Sequence, residues 1–132
     1  MGYNQWLQLQ LVNRTDRDLT IVNLHLQWGK LYIYSDKDRD LPETAVNNHT
    51  IHPGQTFSFA ACGRKGAASG TEGEFSLREN GGKDIMKVYW DCPYSGKNKF
   101  STYYVSEGYF PSTSNWSTGE ALGTVTVTIF HS

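Results

Sequence analysis

Leu122-Gly123-Thr124-Val125-Thr126-Val127-Thr128-Ile129-Phe130 alternates strictly: Val125, Val127 and Ile129 share one face, and Thr124, Thr126 and Thr128 share the other. Side chains of a strand point to opposite faces in turn, so this run predicts a strand with one buried face. The same pattern recurs outward from it. Residues 6–13 place Leu7, Leu9 and Leu11 against Gln8 and Gln10. Residues 19–26 alternate too, with Leu24, Leu26 and Trp28 on one face and His25 and Gln27 on the other. Gly29 interrupts, and strand resumes over 30–34. Further strands are predicted at 56–60, 74–78, 84–90 and 100–105, the middle two joined as a hairpin across Asn80-Gly81-Gly82. Residues 36–40 read as a charged loop, and residues 63–73, rich in Gly, Ala and Ser, as a tight loop. No ten-residue segment carries a helical period. Short strands at this spacing predict an all-β, single-domain antiparallel β-sandwich covering residues 1–132.

The chain has 132 residues, a length that suits one domain. A compact chain of this size buries roughly two thirds of the surface its unfolded form exposes, enough for a core without staples. Lys and Arg number 12 and Asp and Glu 13, a net charge of −1. Such a balance excludes the basic footprint of a nucleic-acid binder and strong steering onto anionic membranes. Charged residues are 19% and aromatics 14%, the reverse of a disordered chain. No run of 18 apolar residues is present, and the first residues lack a basic n-region and apolar h-region. A soluble protein without a classical signal peptide is expected.

Catalytic and metal-binding patterns are weak. Asp36-Lys37-Asp38-Arg39-Asp40 opens like a calcium loop, but Leu41 stands where the turn needs Gly, and Asn47 where a bidentate Glu belongs. Residues 63–73 lack the Gly-Lys-Ser/Thr end of a phosphate loop. His25, His49, His52 and His131 are scattered. Cys62 and Cys92 are compatible with one disulfide or with two buried thiols. The sequons at Asn13, Asn48 and Asn115 matter only in a eukaryotic secretory pathway. The expectation is no enzyme, no metal and no cofactor.

Aromatic residues stand out instead. Trp28, Tyr32 and Tyr34 sit near the charged run, Tyr89, Trp90 and Tyr94 bracket Asp91-Cys92-Pro93, and Tyr103, Tyr104, Tyr109, Phe110 and Trp116 crowd a Ser/Thr/Asn-rich stretch. Several belong in the core. Others lie beside turns, where an amphipathic ring suits a membrane interface or a sugar face.

Specific strings carry a resemblance. Gln5-Trp6, Trp28-Gly29-Lys30-Leu31 and Asp36-Lys37-Asp38 resemble the first third of the aegerolysins. Ala61-Cys62-Gly63-Arg64, Ala67-Ala68, Gly70-Thr71-Glu72-Gly73 and Phe75 resemble the family's central loop. Tyr89-Trp90-Asp91-Cys92-Pro93 and Ala121-Leu122-Gly123-Thr124-Val125-Thr126-Val127 are similar to its later signatures. The likeness runs in register from Trp6 to about Ile129.

The resemblance implies a small β-sandwich that recognises membrane lipid, a sphingolipid with or without sterol. It implies a role as the targeting half of a two-protein cytolysin, beside a larger partner with a membrane-attack-complex/perforin domain, in some pairs insecticidal. Action would be extracellular, at target-cell membranes. Self-association is left open. Residue by residue, the resemblance implies that Trp28 lines the lipid site, that Trp6 contacts the membrane, and that Lys97 suits a phosphate. Tyr94 replaces the usual tryptophan after Cys-Pro. Ser69 stands where lipid-selective fungal members carry Glu, so the carboxylate that pairs with an ethanolamine ammonium is lost at that position. Arg64-Lys65-Gly66-Ala67 replaces the family's Arg-Ser-Asp-Ala, which shifts the loop's charge positive and predicts either a preference for more anionic headgroups or simply a change in loop solubility. The competing reading is a carbohydrate-binding module that stacks the same aromatics on sugar rings.

Overall fold

The computed structural model describes residues 2–132. Among the described residues, eleven strands form two sheets. They are β1 (Trp6–Asn13), β2 (Leu19–Trp28), β3 (Lys30–Ile33), β4 (Asp36–Asp40), β5 (Thr50–Ile51), β6 (Thr56–Cys62), β7 (Thr71–Glu79), β8 (Asp84–Cys92), β9 (Lys99–Tyr103), β10 (Tyr109–Thr113) and β11 (Gly123–His131). One sheet runs β10-β11-β1-β6-β3-β4 and the other β5-β2-β7-β8-β9. Short 3₁₀ turns at Gly2–Asn4 and Glu43–Ala45 are the helical elements among the described residues.

The alternating runs produce the core directly. Leu7, Leu9 and Leu11 of β1 and Val125, Val127 and Ile129 of β11 are fully buried, as are Phe75, Leu77, Val88 and Trp90 from the facing sheet. The expected β-sandwich is therefore observed, with one departure from a purely antiparallel arrangement. β1 and β11 pair in parallel, Leu7 opposite Gly123 through Asn13 opposite Ile129. Parallel neighbours need a long crossover, and here nearly the whole chain lies between the two strands.

Other departures have local causes. Residues 36–40, expected as a loop, form edge strand β4, paired to β3 alone. Alternating charges on an edge oppose pairing with another sheet, so a strand can be this polar. A cross-strand ion pair, Lys30 Nζ to Asp40 Oδ1 at 2.6 Å, helps to hold it. Residues 71–73, read as loop, belong to β7. Gly73 is required there, because a Cβ would strike the indole of Trp90. β2 carries register shifts between Val22 and His25 and between Leu26 and Trp28, and Asn23 has φ +56° at the first. These shifts keep Leu24 and Leu26 against the core while Trp28, read on the same face, emerges into solvent. The hairpin turn at 80–82 places Gly81 and Gly82 at φ +100° and +135°, backbone that suits glycine. β5 and β10 were not legible in the sequence.

Candidate functional site

The end of the sandwich where β2 and β8 finish and β7 begins carries an open cleft of about 530 Å³. Strand register builds it. Trp28 of β2 lies opposite Glu72 of β7, Glu72 opposite Asp91 of β8, and Asp91 opposite Lys99 of β9. Directly opposed residues share a sheet face, so these four form one row. Leu26, Gly73, Trp90 and Phe100 form the adjacent row. Trp90 and Phe100 of that row are buried.

Trp28 (57% exposed) and Tyr94 (42% exposed) are the aromatic walls. Ala68, Ser69 and Gly70 from the loop before β7, Thr71 at its start, and Pro93 and Ser95 after β8 complete the lining with Glu72 and Asp91. The floor is rigid. Gly70 packs on the Cys92 carbonyl so closely that a Cβ would overlap it. The Trp90 indole Nε1 donates to Thr71 Oγ1 at 3.1 Å, which fixes the start of β7 from within the core.

Two carboxylates give the cleft its character. Glu72 accepts a hydrogen bond from the Tyr89 hydroxyl. That phenol is pushed above its ordinary range by burial first and by Glu72 second. Asp91 is also raised, by burial first and by the Glu72 charge second, with Lys99 opposing. Aromatic faces beside acids favour a cationic ligand group, such as an ammonium. Ser69 lines the cleft without a carboxyl group, yet those of Glu72 and Asp91 line it beside Ser69. The run Arg64-Lys65-Gly66-Ala67, expected to shift the loop's charge positive through Lys65 and Gly66, does not line this cleft, and its Arg64 lines a different groove with Lys30 and Asp40.

Of the residues singled out in the sequence, Trp28, Ser69 and Tyr94 come together here. Lys97 is exposed on the same connection as Tyr94 but lies outside the lining. Trp6 lines a second cleft of about 440 Å³ with Tyr3, Tyr34 and Lys37. Glu72 and Asp91, which line the cleft, and Lys99, in register with Asp91 but outside the lining, escaped the sequence reading. Placing them in one row needs the β7–β8–β9 register, which alternation alone does not supply.

Nothing in the described residues forms a cluster of three or more His, Cys, Asp and Glu able to hold a metal. Cys62 and Cys92 are free and buried, and burial pushes both thiols up to about 11. Asn13, in the first sequon, is fully buried and donates its amide to the Arg17 and Ile51 carbonyls. No helix among the described residues is long and apolar enough to cross a membrane.

Comparison with known proteins agrees with this architecture. The family described as Aegerolysin matches residues 4–132. Asp-hemolysin of Aspergillus fumigatus is 37% identical over 131 residues, covering 97% of this chain and 94% of that protein. Ostreolysin A6 of Pleurotus ostreatus is 36% identical over 132 residues, covering 96% and 95%. Among solved structures, RahU protein in complex with a TRIS molecule superposes with a TM-score of 0.91 at 31% identity, covering 99% of this chain and 98% of that one. This chain belongs to the aegerolysin family.

Proposed function

We propose that the protein is a non-enzymatic membrane-lipid recognition protein and that the Trp28 cleft receives a lipid headgroup. The observation that carries this reading is the pairing of two exposed aromatic walls, Trp28 and Tyr94, with the carboxylates of Glu72 and Asp91 around one rigid floor. An ammonium headgroup would lie between the rings and the acids, and the walls would insert at the polar boundary of the bilayer, where amphipathic rings are favoured. Lys99, in register with Asp91, and Lys97, on the Tyr94 connection, are the nearby cations in sequence and register for a headgroup phosphate. Relatives named as hemolysin and ostreolysin support a cytolysin-related role.

The finer reading is that of a targeting component. The protein finds a sphingolipid-bearing target membrane from outside, with or without sterol. A larger partner with a membrane-attack-complex/perforin domain then makes the pore, with insect cells as a candidate target. Within this reading Trp6 contacts the membrane as well.

Vesicle co-sedimentation of Trp28→Ala and Tyr94→Ala tests the site. A desolvated cation–π contact is worth about 2 kcal/mol, so Trp28→Ala should lose roughly 30-fold in affinity. Full binding by a folded Trp28→Ala protein would remove the cleft from the account. Inhibition by soluble oligosaccharide would favour the carbohydrate-binding reading, since exposed rings beside carboxylates also suit a sugar.

A further inference from the structure

The β7–β8 hairpin turns over Asn80-Gly81-Gly82, at the end of β7 away from the Trp28 cleft. The strand from Glu72 to Asn80 spans roughly 26 Å. Asparagine is chemically labile, because the backbone nitrogen that follows it can attack its side-chain amide. A glycine in that following position leaves the nitrogen unshielded and the backbone free to rotate. Asn80 is the one asparagine of the chain that precedes a glycine, the others preceding Gln, Arg, Leu, Asn, His, Lys and Trp. Residues 80–83 are exposed. Gly81 and Gly82 have φ +100° and +135°, and a Cβ built on either would meet nothing within 4 Å. The tip of the turn therefore stands clear of the packed structure and open to water.

Hydrogen bonding separates Asn80 from the other asparagines further. Around the turn, Asn80 donates its backbone N–H to the Asp18 carbonyl at 3.1 Å, Gly82 to the Glu79 carbonyl at 2.9 Å, and Glu79 to the Lys83 carbonyl at 2.9 Å. The Gly81 N–H and the Asn80 side chain make no hydrogen bond among the described residues. Asn13 is the opposite case, fully buried, with its amide donating to the Arg17 and Ile51 carbonyls and its oxygen accepting from Thr15. Asn98 is also buried and donates its amide to the Ser117 and Glu120 carbonyls. Asn47 accepts from the Leu24 N–H. Asn4, Asn23, Asn48 and Asn115 are exposed, but each is followed by a larger side chain beside the attacking nitrogen. An unused nucleophile, an unheld amide and free access of water coincide at Asn80.

We propose that Asn80 is a site of spontaneous deamidation in the folded protein, a covalent modification that needs no enzyme. The Gly81 nitrogen gives up its proton and attacks Asn80 Cγ. The N–Cγ bond forms, the Cγ–Nδ2 bond breaks, and the amide leaves as ammonia. Water then opens the cyclic imide. Cleavage of the new N–Cγ bond leaves aspartate, and cleavage of the original peptide bond leaves isoaspartate, with the main chain rerouted through Cγ. One water is taken up and one ammonia released, with no change of oxidation state. Either product takes the formal net charge of −1 one unit further negative. Isoaspartate also lengthens the main chain inside the bracket made by Glu79 and Lys83. Glu79 stands next to the new charge, and its carboxylate accepts from Arg17 Nη1 at 3.1 Å and from the Tyr109 hydroxyl. These bonds tie the β1–β2 turn and β10 to the hairpin. Modification therefore loosens this end of the sandwich and leaves the Trp28 cleft alone. The inference is independent of what that cleft binds.

Ageing the purified full chain in mildly alkaline buffer tests the proposal. A more acidic species should build up on ion exchange, with the mass gain of an amide turned acid, and peptide mapping should place it at Asn80. A protein-isoaspartate methyltransferase, used as a reagent, should methylate the aged fraction and not the fresh one. Asn80→Gln, whose longer side chain closes its ring far more slowly, should lose the species. Asn80→Asp should elute among the acidic forms from the start. Both substitutions replace an exposed side chain that holds no bond, and thermal unfolding beside the parent confirms that they fold. Hydrogen exchange at the Gly82 N–H, which is bonded to Glu79, should speed up in the aged fraction, while the buried Trp90 indole N–H keeps its rate. A folded chain that stays unmodified while its urea-unfolded form deamidates would overturn the inference. So would a species that maps to another asparagine, or one that persists in Asn80→Gln. Unchanged exchange at Gly82 in the aged fraction would overturn its structural consequence.

Discussion

Gly70 and Cys92 touch backbone to backbone, and a Cβ at position 70 would overlap the Cys92 carbonyl. The contact locks the loop before β7 to the end of β8, the two segments that carry Ser69 and Tyr94 into the same cleft. Gly70→Ala must therefore push these segments apart. Overpacking of this kind costs about 1–3 kcal/mol. Urea unfolding should report that loss, and vesicle binding should fall by more than the stability change explains. Unchanged stability would mean that the loop adapts freely.

Trp28 and Trp90 should separate binding from folding. Trp28 is mostly exposed, and Trp90 is fully buried with its indole bonded to Thr71. Truncating a buried Trp to Ala costs about 3–5 kcal/mol, whereas an exposed substitution usually stays within about 0.5 kcal/mol. Thermal or urea midpoints of Trp28→Ala and Trp90→Ala should differ accordingly, with Trp28→Ala near the parent.

Asp91 predicts a pH dependence of binding. Burial and the Glu72 charge raise its carboxyl above the ordinary 3.8. A carboxyl raised in the folded state is protonated there more readily than in the unfolded chain, so acidification through its folded value stabilises the fold with respect to this group. Protonation nevertheless removes a negative charge from the cleft. Vesicle binding measured from about pH 7 to about pH 4 should decline while the protein stays folded. Asp91→Asn should bind more weakly at neutral pH and show a flatter profile. An equally steep profile in that variant would assign the effect elsewhere.

Cys62 and Cys92 should be silent in the native state. Both thiols are buried, free and raised to about 11. The thiolate is the reacting form, so an aromatic disulfide reagent should titrate neither in native buffer and both after denaturation. Rapid reaction of either native thiol would contradict the packing described.

The sandwich was legible because its central strands bury one face each. Val125, Val127 and Ile129 or Leu7, Leu9 and Leu11 declare their side by alternation alone. β4 was not legible, because an edge strand exposes both faces and its Asp-Lys-Asp-Arg-Asp sequence carries no buried period. The position of Trp28 was obscured by two register shifts in β2, which no single sequence pattern reveals. Tyr94 and Ser69 were found through resemblance. The acids that complete the cleft were hidden, since Glu72 and Asp91 become neighbours only when β7 and β8 pair.

The most direct measurement is vesicle co-sedimentation of the purified protein across phosphatidylcholine, sphingomyelin with and without cholesterol, ceramide phosphoethanolamine and an anionic lipid, each repeated with Trp28→Ala. The account predicts selective pelleting with an ammonium-bearing headgroup and its loss in Trp28→Ala. Absence of pelleting with every lipid, or pelleting that ignores both headgroup and Trp28, would contradict it.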